Sequence, residues 1–148
     1  MILTRRAAMA AVPLLIATYA GAQAPRQVIE VVKSPTCGCC NNWIAHLRRA
    51  GFEVRATDTA DVTPTARRLG VPDDLRSCHT ASVGGYAIEG HVPAADIVRL
   101  LGQRPAAAGI AVPGMPMGSP GMEHGDHREP YQTILFTRAG RRSVFATH

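Results

Sequence analysis

Lysine is almost missing from this 148-residue chain: Lys33 stands alone, and arginine supplies the other basic side chains. No function follows from that bias by itself. Aromatic residues are scarce too, at 5%. So few rings leave no platform for stacking bases, and the arginines are scattered (Arg48-Arg49, Arg67-Arg68, Arg141-Arg142) rather than gathered into a stripe. Together these argue against nucleic acid as a partner. Long apolar runs are also lacking. The best candidate, Ala7 to Ala20, has about 14 residues against the ~20 that a spanning helix needs. No internal repeat is present.

The short apolar run has another reading. Arg5-Arg6 precede it, and small residues follow at Ala20, Ala22 and Ala24. That is the pattern of an export signal. Cleavage is expected after Ala22, because a cut after Ala24 would leave Pro25 at the new N-terminus. Thr4-Arg5-Arg6 resembles the start of a twin-arginine signal, but an ordinary secretory signal is the favoured reading. Residues 1–22 are thus expected to be a signal peptide and 23–148 a single periplasmic domain, not stably inserted in the membrane. Losing Arg5 and Arg6 lowers the excess of basic over acidic residues from five to three. In such an oxidising compartment thiols become disulfides or hold metal. Four cysteines permit two bridges in three pairings.

What the chain does have is concentrated sulfur. Cys37-Gly38-Cys39-Cys40 follows the apolar run Val28-Ile29-Glu30-Val31-Val32, at an expected strand-to-helix turn, and Cys78 precedes a second strand-like stretch. Thiols at a helix N-terminus feel the positive end of its dipole, which favours the thiolate. Cys37 and Cys40 form a CxxC pair that suits either a dithiol/disulfide couple or a chelate. Cys39 favours the chelate, since plain exchange has no use for a third adjacent sulfur. An inert Cys37–Cys40 disulfide, or a structural bridge from Cys78, stays open as an alternative. Downstream lies Met115-Pro116-Met117-Gly118-Ser119-Pro120-Gly121-Met122-Glu123-His124, in a chain of only five methionines. Thiolate with thioether is the donor set that selects Cu(I). The candidate ligands are Cys37, Cys39, Cys40, Cys78, His79, Met115, Met117 and Met122. His79 can share an ion with Cys78 only if Cys78 still lies in the loop, since neighbours on a strand face opposite ways; a hydrogen-bonded structural histidine is the equal alternative. The methionines could instead fill gaps in a core. His91 is expected to make a local hydrogen bond at a helix start, and His46 to face solvent. His124 and His127 could extend the methionine site, but exposed polar residues are the default reading. His148 is expected to be mobile.

Strands are expected over Val28–Lys33 and Phe52–Thr57, and at His79–Val83 and Tyr86–Glu89 as a hairpin about Gly84-Gly85. Helices are expected from Cys39 or Cys40 to Ala50, with Trp43, Ile44 and Leu47 inward, from Pro64 to Gly70 with Thr63 as cap, and from Pro93 to Leu101 with Gly102 as stop. Residues 103–130 read as one long loop rich in Pro, Gly, Ala and Met. Tyr131–Thr137 and Arg142–Thr147 read as a closing pair of strands. Strands alternating with helices, then an antiparallel pair, imply an α/β mixed sheet with flanking helices, a C-terminal Met/Pro/Gly-rich loop and a β-hairpin.

That order resembles a thioredoxin-like fold. The resemblance becomes specific over Lys33-Ser34-Pro35-Thr36-Cys37-Gly38-Cys39-Cys40, Ser77-Cys78-His79-Thr80 and Glu89-Gly90-His91-Val92-Pro93-Ala94. It continues through Gly109 to Pro116 and Gly118 to Met122. In these segments the chain resembles the periplasmic CopG copper-resistance family, a domain long labelled as of unknown function and unrelated to the repressors of the same name. The resemblance implies a thioredoxin-like domain that binds copper through its cysteines in copper homeostasis. Its expected partners are a copper ion and a periplasmic copper-export or redox protein. A thiol–disulfide oxidoreductase without copper, with Cys78 resolving the Cys37–Cys40 pair, is the competing function. Zinc or an iron–sulfur cluster on the same cysteines is a third, which would leave the methionines idle.

Overall fold

Six residues of β-branched and charged character, Val28–Lys33, form the first strand, β1, and its burial alternates as a pleat dictates: Ile29 and Val31 are in the core and Glu30 is outside. A computed structural model describes residues 27–148; the expected signal peptide at 1–22 lies outside the described residues. After β1 come α1 (Gly38–Arg49), β2 (Glu53–Asp58), α2 (Thr63–Leu69), a 3-10 turn at Asp73–Leu75, β3 (His79–Val83), β4 (Tyr86–Gly90) and α3 (Ala94–Gln103). Three further strands, β5 (Gly109–Val112), β6 (Gln132–Phe136) and β7 (Arg142–Thr147), complete the chain. All seven strands form one sheet in the order β2-β1-β3-β4-β5-β6-β7. β1 runs parallel to β2 and antiparallel to β3; β4 runs antiparallel to β3 and parallel to β5. The expected mixed α/β sheet with flanking helices and a terminal hairpin is therefore what the chain forms. Among the described residues no helix is long and apolar enough to cross a membrane.

The sheet is covered on both faces. Ile88, Ile110 and Val112 point to a large core shared with Trp43, Ile44 and Leu47 of α1 and Ile97 and Leu100 of α3. Ala87 and Ala111, their strand neighbours, point the other way, onto Ala66, Val71, Leu75 and Phe136. The three apolar residues expected to face inward from α1 do so. Trp43 is fully buried, and its indole N–H donates to the Val92 carbonyl at 2.8 Å.

Several boundaries differ from expectation for local reasons. Helix α1 starts at Gly38, because the Cys37 sulfur accepts the Cys40 N–H at 3.3 Å and caps the first turn. Helix α2 already includes Thr63: its N-cap is Val62, and Asp61 Oδ1, one residue earlier, accepts the Thr63 N–H at 2.8 Å. Helix α3 runs through Gly102 and stops at Arg104, which takes a left-handed conformation with φ 49°.

Residues 103–130 are not one loop. Gly109–Val112 forms β5, completely buried, and joins the first four strands to the hairpin. Four residues are too few to display a period, and their continuous apolar run is the mark of a strand covered on both faces. His46 does not face solvent freely. Its Nε2 accepts the Ala94 N–H at 3.0 Å and caps α3. His148 is tied down as well: its backbone pairs with Tyr131, its ring stacks on that residue at 4.6 Å, and its Nε2 lies 3.0 Å from Asp96 Oδ2.

The close approach at β5 makes a paired prediction. A Cβ on Gly109 would lie 2.1 Å from the Ala87 carbonyl oxygen, a backbone atom that cannot swing away, whereas a Cβ on Gly102 meets nothing within 4 Å. Gly109→Ala should cost roughly 1–3 kcal/mol or more by forcing β4 and β5 apart. Gly102→Ala, inside α3, should add up to ~1 kcal/mol. Urea unfolding midpoints moving in opposite directions check both.

Candidate metal centre

β1 and β3 lie side by side and antiparallel, with Lys33 opposite His79. The end of β1 and the start of β3 therefore share one edge of the sheet. The chain leaving β1 turns at Ser34-Pro35-Thr36, where the Cys37 N–H donates to the Ser34 carbonyl at 3.2 Å, and enters α1 at once. Cys37, Cys39 and Cys40 are thus delivered to the edge where Cys78 waits, one residue before β3. Lys33 secures this end of the sheet: it is buried, and its Nζ donates to Asp58 Oδ1 of β2 at 2.7 Å and to the Ser34 carbonyl at 3.2 Å.

All four sulfurs lie within 4.8 Å of one another. Cys37 and Cys40 are joined as a disulfide, and Cys39 and Cys78 are free thiols. The free thiols are 3.8 Å apart, Cys39 Sγ is 3.4 Å from Cys37 Sγ, and Cys78 Sγ is 3.6 Å from Cys40 Sγ. Burial, reinforced by the neighbouring Cys39, pushes the Cys78 thiol up to about 12. With no ion present, Cys78 keeps its proton at neutral pH; a bound cation would take that proton's place.

Two imidazoles adjoin the sulfurs. Cys78 remains in the loop, so the condition for His79 to share its neighbour's environment is met: His79 Nδ1 is 3.3 Å from Cys78 Sγ. His91, from the turn after β4, places Nε2 at the same distance, 3.3 Å. Its Nδ1 faces the Pro120 carbonyl at 2.8 Å. A carbonyl only accepts, so Nδ1 carries the hydrogen and Nε2 turns its lone pair to Cys78. A carbonyl fixing the far nitrogen is the usual support of a metal-binding histidine. Burial, then the neighbouring His91, lowers His79 to about 3, and burial lowers His91. Neutral imidazoles at pH 7 are ligand-competent. His79 is fully buried, its ring packs on Trp43 at 4.3 Å, and its Nε2 has no hydrogen-bond partner among the described residues. Cys78, His79 and His91 thus make a second group with donor atoms within 4.8 Å. The expected local hydrogen bond of His91 is present, but so is a thiol on its other nitrogen. Nothing in the spacing of Glu89-Gly90-His91 foretells that contact, which depends on Pro120 29 residues away.

The Met-rich segment folds over the cysteine-bearing helix. A Cβ on Gly121 would lie 2.7 Å from both Cys39 O and Trp43 N, so only glycine lets the strap sit this close. Gly118 N–H to Met122 O and Met122 N–H to Ser119 O close it into a tight turn. Met115 is exposed and lines a cavity of about 330 Å³ with Arg76, Ser77, Cys78 and Gly114. Met117 and Met122 are half-buried within the strap itself.

Residues 75–122, which include Cys78, His91 and the strap, match the family described as a protein of unknown function, DUF411. A solved structure named copper resistance protein copG, form 2, is 48% identical, with 82% of this chain and 98% of that chain covered at a TM-score of 0.79. The chain belongs to the CopG family. The form 1 structure of that name is 49% identical over 82% of this chain and 96% of its own, with a TM-score of 0.78. No curated protein matches the chain. In CopG terms, the chain carries a four-cysteine cluster able to hold a metal ion.

Glu89, fully buried behind the Cys78 loop, braces it: Oε1 accepts the Ser77 N–H at 2.7 Å and Oε2 the Thr80 hydroxyl at 2.6 Å. Burial raises its carboxyl to about 7 from 4.5. The folded state therefore holds this proton more tightly than the unfolded chain. The protonated group's contribution is complete below pH 4.5 and is lost as pH climbs toward 7, by a few kcal/mol in all. In Glu89→Gln the Thr80 hydroxyl can turn to accept from the new amide. The difference in unfolding free energy between parent and variant should therefore slope between pH 4.5 and 7 and flatten below. Taking that difference cancels the opposite slope of His79. A pH-independent difference, measured by urea titration, would rule out Glu89 as the source.

Proposed function

We propose that this protein binds copper as Cu(I) on Cys37, Cys39, Cys40 and Cys78, in the periplasm, as part of copper homeostasis and resistance. The observation that carries this reading is the convergence of four sulfurs within 4.8 Å at one edge of the sheet. Thiolates are soft donors that prefer Cu(I), and bridging sulfurs can hold more than one ion. The copper-resistance names of the two similar structures support the choice of metal. Met115 beside Cys78 supports a thioether ligand at the open side, and His79 and His91 support nitrogen ligands at the buried side. Met117 and Met122 extend the thioether supply along the strap. The four-strand core, with its cysteines between β1 and α1, is read as thioredoxin-like.

Thiol redox state would gate the site. While Cys37 and Cys40 share a disulfide, two of the four thiolates are withheld. Two electrons and two protons from a dithiol reductant convert the disulfide to two thiols, and Cu(I) then displaces the thiol protons. A thiol–disulfide oxidoreductase is the second reading, favoured by the observed Cys37–Cys40 disulfide at a helix N-terminus. The partner that delivers or takes copper would be a periplasmic export or redox protein.

Cys39→Ser separates the two. If copper is the function, anaerobic Cu(I) competition with a chromophoric chelator should show affinity falling at least about tenfold, while dithiol exchange at Cys37–Cys40 persists. Unchanged copper affinity in Cys39→Ser, or no bound copper in the reduced parent, would sink the copper reading and leave the oxidoreductase.

The raised Cys78 thiol adds a pH test. Copper must displace protons from thiols that are undissociated at neutral pH. Apparent Cu(I) affinity should therefore climb by about tenfold per pH unit for each proton released. A titration across pH 6 to 8 with no slope would exclude thiolate ligation.

A further inference from the structure

The tip of the strap, Glu123-His124-Gly125-Asp126-His127, lies beyond the sulfur cluster and just past residues 75–122, the stretch matched to the family model. It carries donors of a different kind. The His127 N–H donates to the His124 carbonyl at 3.3 Å, Gly125 takes φ +56°, and His124 and His127 form an isolated antiparallel bridge. Residues paired in this way project their side chains to the same face, with Cβ atoms about 4.5–5.5 Å apart. Two imidazoles on one face at that separation can close on a single ion by side-chain rotation alone. Both residues are exposed, and among the described residues neither ring has a hydrogen-bond partner in the protein.

A carboxylate lies beside one of the two rings. Glu129 Oε1 lies 4.0 Å from His127 Nε2, while Oε2 is fixed by the Met117 N–H at 2.8 Å. The turn is held from below. The Glu129 N–H donates to the Met117 carbonyl at 2.9 Å, Glu123 Oε2 accepts the Gly121 N–H at 2.8 Å, and Gly121 rests on the first turns of α1.

We propose that His124 and His127, with Glu129, form a separate surface site for a borderline divalent cation, Cu(II) before all others. Imidazole and carboxylate suit divalent copper, nickel and zinc. Affinity along the first-row series peaks at Cu(II). The thiolate cluster has the opposite preference, so the chain offers a nitrogen–oxygen site at its surface and a sulfur site beneath the same strap. This site does not depend on the thiolate reading.

Cu(II) titration followed by electron paramagnetic resonance tests it. A Cys39→Ser/Cys78→Ser background, or the unsubstituted chain with its thiols carbamidomethylated, prevents reduction of the ion. One bound Cu(II) should show coupling to two imidazole nitrogens. His124→Asn/His127→Asn should abolish that coupling and weaken binding at least about tenfold. His91→Asn should leave both intact. Coupling that survives in the double variant, or that disappears in His91→Asn instead, overturns the proposal. On the unsubstituted chain, the double variant should keep the parental Cu(I) affinity; a matching loss of Cu(I) would mean one shared site and also overturns it. A His-dependent Cu(II) signal in a protein that takes up no Cu(I) would support this site while defeating the thiolate reading.

Discussion

The antiparallel pairing of β1 with β3 governs the sulfur end of this molecule. Lys33 opposite His79 sets the register, and a slip of one residue would turn every side chain of one strand to the wrong face. The core enforces that register, because Ile29 and Val31 of β1 and Ala81 and Val83 of β3 must all reach the cluster under α1 and α3. Cys37, Cys39 and Cys40 then follow directly from the end of β1, and Cys78 from the start of β3. The sulfurs meet because apolar residues some distance from them pack correctly.

The strap is bound to that arrangement by backbone rather than by methionine. Gly121 has no side chain because the α1 backbone occupies the space where one would be. Pro120 gives its carbonyl to His91, and that single hydrogen bond decides which His91 nitrogen faces Cys78. The strap thus orients a ligand-competent imidazole through a backbone carbonyl. Trp43 serves two ends in the same way. It fills the core beneath α1, and its ring packs against His79, which leaves that histidine buried and uncharged.

Much of this was readable from residues alone. The strong signals were local: the β-branched run before the cysteines, the helical spacing of Trp43, Ile44 and Leu47, and the glycine pair of the β3–β4 hairpin. What escaped was set by distant contacts. β5 is too short to show a period, and its identity as a strand comes from β4 and β6 on either side of it. His46 caps a helix that begins 48 residues later, and His148 is held by Asp96 and Tyr131. His91 looks like an ordinary loop histidine until Pro120 and Cys78 are placed around it. The grouping of four cysteines, with His79 beside Cys78, was foreseeable from number and position; the approach of His91 was not.

Burial gives the centre its chemical character. It holds the Cys78 thiol protonated and the His79 and His91 rings neutral, so this region carries little charge of its own when no ion is bound. A hard, strongly hydrated divalent ion would have to surrender its water to neutral donors in an apolar setting, which is unfavourable. A monovalent soft ion loses less hydration and gains polarizable sulfur, while the protons it displaces leave a site whose charge it then balances. The exposed turn at His124 and His127 has neither constraint. Its donors stay in water, and a divalent ion there can keep part of its hydration shell. The same strap therefore joins two environments that differ in dielectric as well as in donor atoms, and each would favour a different charge state of a metal.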